Sequence, residues 1–115
     1  MRITLVLHRG GRSESTATAL SLAEGLLARG HRVSVFAHAD AVTLSAGASG
    51  TVRLVADLLR RGVHGAGLDW VVERATAEAL GVADRQAPGV VLGDHADLWA
   101  LVRAADVVLS PDGAS

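Results

Sequence analysis

The sequence of 115 residues contains no cysteine. This absence excludes disulfide bonds, zinc sites built on thiolates, and any chemistry carried by a thiol or persulfide of this chain. Aromatic residues are also scarce, at 3% of the chain, and comprise Phe36, Trp70 and Trp99. With so few rings, base-stacking platforms and aromatic cages are hard to build, and the core must consist mainly of Ala, Val and Leu.

Positively and negatively charged residues are nearly equal in number. Charged residues make up 20% of the chain and the formal net charge is −1, so the sequence offers no basic field for a nucleic acid. Long hydrophobic runs are absent as well. The segment "MRITLVLH" contains a mainly apolar run only about five residues long, against about 7–15 for a signal peptide core and about 20 for a membrane span. We therefore expect a soluble, cytoplasmic protein with neither a nucleic acid nor a membrane as partner.

Hydrophobic residues form 50% of the sequence, enough for the core of one domain, which we place at 1–110 with a frayed tail at 111–115. Five apolar runs of strand length recur along the chain: "RITLVLH", "RVSVFAH", "LDWVV", "GVVL" and "DVVLS". Helix-length segments separate most of these runs. The alternation predicts an α/β fold, a three-layer α/β/α sandwich with a five-stranded, mainly parallel sheet.

Four helices are predicted between the strands. The first begins after the N-cap Ser13 and ends at Gly30, and the second is closed by Gly62. The remaining bounds are approximate: Thr51–Arg61 for the second helix, Arg74–Leu80 for the third, which ends at Gly81, and His95–Ala104 for the fourth. The loop "SAGASG" at 45–50 is predicted to be flexible. We expect Trp70 and Trp99 to lie in the core or in a subunit interface.

The segment "LVLHRGGRSES" connects the first strand to the first helix. Gly10 and Gly11 are adjacent and no lysine follows, so neither the dinucleotide fingerprint nor the P-loop is present. Glu14 would also repel a phosphate at the start of the helix. Two interpretations stay open, a glycine-assisted turn with a serine cap and a loop that binds a ligand at the carboxyl edge of the sheet.

Polar side chains collect at the predicted strand ends, where ligands bind in parallel sheets. The candidate ligand-binding residues are His8, Arg9, His38, Glu73 and His95. Histidine and carboxylate suit a metal, but the spacings place no two ligands on one helical face, and we predict neither a metal nor a cofactor. Glu73 also has a structural interpretation, as a strand-end carboxylate paired with Arg74 or Arg9.

Three segments together resemble the DsrE/DsrF/TusD-like sulfur-relay proteins. "LHRGGRSESTATALSLAEGLLARGHRVSVFAHADAV" resembles their first strand, Ala-rich helix and second strand, "LDWVVERATAEALGV" their third strand and helix, and "GVVLGDHADLWALVRAADVVLS" their ending. The resemblance covers nearly the whole chain. The first segment is also similar to the opening unit of GT-B glycosyltransferases, which need a second domain and several times this length.

The resemblance implies a specific departure from the family. Its cysteine-bearing members carry a cysteine in strand three about eight residues before a glycine turn, and counting back from Gly81 gives Glu73. A carboxylate cannot form a persulfide, so sulfur transfer does not carry over. The family includes cysteine-less members that assemble with cysteine-bearing partners, and its members form dimers, trimers and hexamers.

Three functions remain open. The first is a noncatalytic subunit of a sulfur-relay-like assembly, either as a homo-oligomer or with related DsrE-like subunits. The second is a small-molecule or metal-binding protein with its pocket at the carboxyl edge of the sheet. The third is an enzyme in which Glu73 acts as a general base, which would require burial to raise its proton affinity.

Overall fold

The computed structural model describes residues 1–10, 14–47, 50–64 and 67–111. The predicted Ser13 cap and residues 112–115 of the predicted tail lie outside this part of the chain. Strands and helices alternate along it in the order β1 Arg2–Leu7, α1 Glu14–Ala28, β2 Arg32–Ala37, α2 Gly50–His64, β3 Leu68–Glu73, α3 Arg74–Ala79, β4 Val91–Gly93, α4 His95–Ala104 and β5 Val107–Leu109. Short 3-10 helices occupy Ala39–Thr43 and Ala83–Arg85. Within the described ranges, no helix is long and apolar enough to cross a membrane.

The five strands form one sheet in the order β4-β3-β2-β1-β5, and every neighbouring pair is parallel. This confirms the predicted α/β fold with a five-stranded parallel sheet. Strand β5 pairs with β1 through Ile3 opposite Val107, and the backbone N–H of Arg2 donates to Asp106 Oδ2 at 2.7 Å. Because all strands point the same way, their carboxyl ends meet at a single edge of the sheet.

The main core lies between the sheet and helices α1 and α2. Alternate residues of the central strands, such as Leu5, Val35 and Trp70, face this layer and are almost fully buried. The helices contribute small and branched apolar side chains, namely Ala19, Leu20, Ala23, Val55, Leu58 and Leu59. Trp70 is the largest fully buried side chain of the described residues, which confirms its predicted place in the core.

Helix α4 lies over the opposite face of the sheet, where it contacts β1 and β4. The Thr4 hydroxyl donates to the carbonyl of Leu101 at 3.2 Å and anchors the helix to β1. No residue of α4 is buried, and Trp99 remains 61% exposed. Trp99 therefore lies outside the core of the single chain, and its place in a subunit interface stays a prediction.

Two glycines end helices as the sequence predicts. Gly30 follows α1 with φ +84° and Gly81 follows α3 with φ +71°, a region that L side chains rarely adopt. The third predicted terminator, Gly62, is wrong, since α2 continues to His64. A glycine inside a helix is unfavourable by about 1 kcal/mol, which the packing of a long apolar face outweighs.

The predicted flexible loop at 45–50 is wrong in its first part. Ser45 is fully buried and donates to Gln86 Oε1 at 2.5 Å. Ala46 forms an antiparallel bridge with Gln86, whose Nε2 donates in turn to the carbonyl of Val42 at 3.0 Å. Ser45 and Ala46 are thus held in place by contacts with Gln86, 41 residues further along the chain. The composition of this segment alone is typical of a flexible loop.

Candidate functional site

The predicted site residues all lie at the carboxyl edge of the sheet, but the structure groups them into two separate pairs. His8 and His38 follow the neighbouring strands β1 and β2, with ring centroids 6.0 Å apart. Glu73 ends β3 and His95 begins α4, and these two side chains are in direct contact. Arg9 is exposed next to His8 in the chain. The five residues therefore do not line one common pocket.

Glu73 and His95 form the closer pair. His95 Nε2 lies 2.8 Å from Glu73 Oε2, and the hydroxyl of Thr76 donates to the other carboxylate oxygen, Oε1. The predicted pairing with Arg74 or Arg9 is therefore wrong. The strand register explains the observed contact, because β4 pairs with β3 so that Gly93 stands opposite Glu73, and His95 follows two residues later.

A surface cleft of about 460 Å³ opens beside this pair, between the β3–α3 and β4–α4 junctions. The charged or titratable residues that line it are Glu73, Arg74, Glu78, Asp94, His95 and Asp97. Four carboxylates face one arginine, so the cleft carries a negative potential with His95 neutral. Such a surface attracts cations and disfavours anions.

A capping box holds His95 in place at the start of α4. The carboxylate of Asp94 accepts from the backbone N–H of Ala96 at 2.9 Å and of Asp97 at 3.2 Å, and Asp97 Oδ2 accepts from the N–H of Asp94 at 2.8 Å. These hydrogen bonds lower the pKa of Asp94 below its usual range, and the bond from the Asp97 backbone has the largest effect. Desolvation acts in the opposite direction but is outweighed. Gly93 is needed here, since a Cβ would lie 2.6 Å from Asp97 Oδ2.

We expect acid to loosen the start of α4. A carboxylate whose pKa is lower in the folded state contributes stability above its unfolded pKa, and this stability is lost as the pH falls through the folded value. As the pH falls below about 4 towards the lowered pKa of Asp94, its carboxylate becomes protonated, and the amides of Ala96 and Asp97 should lose their charged acceptor. Their NMR peak positions and hydrogen exchange as a function of pH measure this change.

The matched control is Asp94→Asn, which keeps a capping oxygen but does not titrate. Other carboxylates of the chain still titrate in this variant, so the difference between the two proteins isolates Asp94. Identical acid profiles for wild type and Asp94→Asn would contradict the expectation.

The other pair, His8 and His38, sits where the β1–α1 connection crosses the first 3-10 helix. Both side chains are half-buried, and His38 also lies 6.5 Å from the ring of Phe36. At Gly10, a Cβ would stand 2.4 Å from the carbonyl oxygen of Asp40. This close approach gives Gly10 a packing role and favours the turn interpretation. Gly11 lies outside the described residues, so a ligand-binding role of this loop stays a prediction.

The described residues contain no group of three or more His, Asp or Glu side chains placed to hold a metal ion. The pairs at the sheet edge each bring two candidate ligands together, and the carboxylates of Asp94 and Asp97 are engaged in the capping box.

Three residues in or beside the cleft escaped the sequence analysis: Glu78 and Asp97 line the cleft, and Thr76 donates a hydrogen bond to Glu73. For Asp97 a signal was present, because an acidic residue three positions after an N-cap Asp is typical of a capping box. Thr76 follows Glu73 by three residues, the spacing that brings side chains together at a helix start. Glu78 carries no local signal, since it reaches the cleft through the orientation of α3 on the sheet.

Comparisons with known proteins agree with this architecture. Residues 1–111 match the family model of the DsrE/DsrF-like family. The crystal structure of the YchN protein from E. coli superposes with a TM-score of 0.80 at 20% identity, covering 95% of this chain and 97% of that one. A protein of unknown function from Methanobacterium thermoautotrophicum, MTH1491, gives a TM-score of 0.76 at 16% identity, covering 92% and 96%. These identities show a shared fold. No curated protein matches the sequence.

Proposed function

Because this chain belongs to the DsrE/DsrF-like family and contains no cysteine, we propose that it is a noncatalytic subunit of a sulfur-relay-like assembly. One observation carries the proposal. Glu73 occupies the strand-three position at which the cysteine-bearing relatives are expected to present their thiol. Its carboxylate accepts a hydrogen bond from Thr76 and lies 2.8 Å from His95 Nε2. A site built in this way has no sulfur nucleophile, so any sulfur chemistry must come from a partner.

Exposed apolar side chains support the part of the proposal that concerns assembly. Trp99 on α4 is 61% exposed and Val91 on the edge strand β4 is 55% exposed. The other edge strand, β5, adds Val107, Val108 and Leu109. Strands β4 and β5 lie at opposite edges of the sheet, so these side chains form separate exposed sets. The three residues of β5 lie side by side, and an exposed apolar edge strand is a surface at which subunits can pair. The occupant is a second copy of this chain or a related DsrE-like subunit.

Light scattering tests the homo-oligomer directly. We expect the wild type at micromolar concentration to give a mass that corresponds to a dimer, trimer or hexamer of the 11.8 kDa chain. Trp99→Lys should shift the mass towards a single chain, because a charge would have to be buried in the interface. The matched control is Leu54→Lys, an equally exposed leucine on α2 across the sheet. A wild type that remains at 11.8 kDa, even at high concentration, would contradict the homo-oligomer.

A second function, the binding of a small cation, is favoured by the Glu73–His95 pair. The pair lines a cleft of about 460 Å³ in which carboxylates outnumber cationic side chains. Glu73 is mostly buried, with 18% of its side chain exposed, so its charge acts on the cleft with less screening by solvent than a surface carboxylate. An organic cation fits this charge distribution better than a neutral or anionic ligand.

Titration of the protein with benzamidine, followed by NMR, tests this second function. We expect peak shifts at the residues of the cleft and weaker binding by Glu73→Gln, by about 1 kcal/mol, because the substitution removes a negative charge from the wall of the cleft. Benzamide, a neutral molecule of the same shape, should bind less well to the wild type. Glu14→Gln removes an exposed carboxylate outside the cleft and serves as the control. If Glu73→Gln bound benzamidine as tightly as the wild type, the cation site could not be the cleft beside Glu73.

A further inference from the structure

Resting on this second function, we propose that His95 is the residue that contacts the cation and that Glu73 is its positioning residue. In this arrangement His95 Nδ1 accepts a hydrogen bond from an N–H of the ligand. The carboxylate of Glu73 acts through the imidazole by fixing which ring nitrogen carries the proton. The ligand class is a small organic cation with N–H groups, such as an amidinium, guanidinium or ammonium.

The surroundings of Glu73 give the first step of the argument. Both of its carboxylate oxygens already have a partner in the protein: Oε1 accepts a hydrogen bond from the hydroxyl of Thr76, and Oε2 lies 2.8 Å from Nε2 of His95. Only 18% of the side chain is exposed, against 73% for His95. Of the two side chains, His95 is therefore the one that a ligand entering from solvent can reach.

The chemistry of imidazole gives the second step. A carboxylate can only accept, so the nitrogen of His95 that faces it, Nε2, must carry a proton. In the neutral ring the lone pair then lies on Nδ1. Nδ1 has no hydrogen-bond partner among the residues that the structure describes, and the ring lines the cleft. Glu73 thus leaves Nδ1 of His95 as a hydrogen-bond acceptor for a ligand in the cleft.

The charges around His95 give the third step. The elements packed about it contribute Glu73 from β3, Arg74 and Glu78 from α3, and Asp94 and Asp97 from α4. Neutral His95 adds an acceptor to this carboxylate-rich surface. Protonated His95 carries donors on both nitrogens and a positive charge, and so it repels the same ligand. Loss of the proton that gives His95 its charge therefore favours binding of the cation, and binding should strengthen as the pH rises.

NMR of protein labelled with [15N]histidine tests the role of Glu73. We expect neutral His95 in the wild type to carry its proton on Nε2. Glu73→Leu, which removes the acceptor, should reduce the ratio of the two tautomers by about tenfold. Glu78→Gln removes a carboxylate of the same cleft that is not bonded to His95, and the tautomer ratio should stay unchanged. A wild-type ring protonated on Nδ1, or an unchanged ratio in Glu73→Leu, would overturn the proposal.

The pH dependence of benzamidine binding tests the role of His95. Benzamidine remains a cation throughout, and we expect its affinity for the wild type to rise by about tenfold between about pH 5 and pH 8. His95→Gln keeps a hydrogen-bonding side chain that does not titrate, so its affinity should be nearly independent of pH. The same pH dependence in His95→Gln would overturn the role of His95 alone. Absence of benzamidine binding at every pH would instead remove the ligand-binding function itself.

Discussion

A Glu73→Cys variant is expected to acquire covalently bound sulfur from a cysteine desulfurase supplied with radiolabelled cysteine, whereas the wild-type chain is expected to acquire none. Sulfur relay proceeds by attack of a thiolate on a persulfide, and a chain with no cysteine has no acceptor. In the variant, the new thiol would stand beside His95, whose imidazole can accept its proton. The expected change is from no label to a label that approaches one sulfur per chain.

The measurement is the radioactivity that stays with the protein after gel filtration and is released by dithiothreitol, since a persulfide is reducible. Thr18→Cys, which places a thiol on the exposed side of α1, is the matched control. We expect Glu73→Cys to exceed Thr18→Cys, because position 73 lies next to an imidazole. Reducible label on the wild-type chain would contradict the proposed noncatalytic role, and equal labelling of the two variants would contradict the specificity of position 73.

Replacement of Trp70 by alanine is expected to lower the free energy of unfolding by about 3–5 kcal/mol. Trp70 is 1% exposed, and it packs between the sheet and the two helices that cover the main core. Removal of its ring would leave a cavity that the surrounding side chains fill only in part. For a domain with a total stability of about 5–15 kcal/mol, the loss would be large. Urea denaturation followed by circular dichroism measures it.

The Trp70→Phe variant distinguishes the contribution of the apolar ring to stability from that of the N–H group. Trp70 Nε1 is buried, and it has no hydrogen-bond partner among the described residues. Phenylalanine therefore removes an unsatisfied donor while it keeps most of the apolar contact. We expect it to lose less than half of the stability that the alanine variant loses. Equal losses in both variants would contradict this expectation.

Much of the fold could be predicted from local patterns. Apolar runs located the five strands, and Gly30 and Gly81 marked two helix ends, because each of these signals acts within a few residues. The errors have tertiary causes. The α2 helix passes through Gly62 because the apolar face of a long helix outweighs one poor residue. Ser45 is buried because Gln86, 41 residues away, satisfies its hydroxyl.

The candidate site could be predicted only as a set of residues at one edge of the sheet. The rule that polar groups collect at the ends of parallel strands found Glu73 and His95. It did not separate them from His8 and His38, because that division depends on the strand order, with β4 beside β3 and β1 beside β2. Neighbours within a sheet are chosen by packing of the whole chain, which a single sequence does not display.

The place of β5 in the sheet bears on how the chain is made. Strand β1 pairs with β2 across a short stretch of sequence, but its other neighbour is β5, and the contact between Arg2 and Asp106 spans 104 residues. During synthesis, one side of β1 therefore stays without its strand partner until residue 109 has left the ribosome. Contacts so distant in sequence form slowly, and an open strand edge invites pairing with other chains. The nascent domain is accordingly most vulnerable to aggregation in the interval before its last strand adds to the sheet.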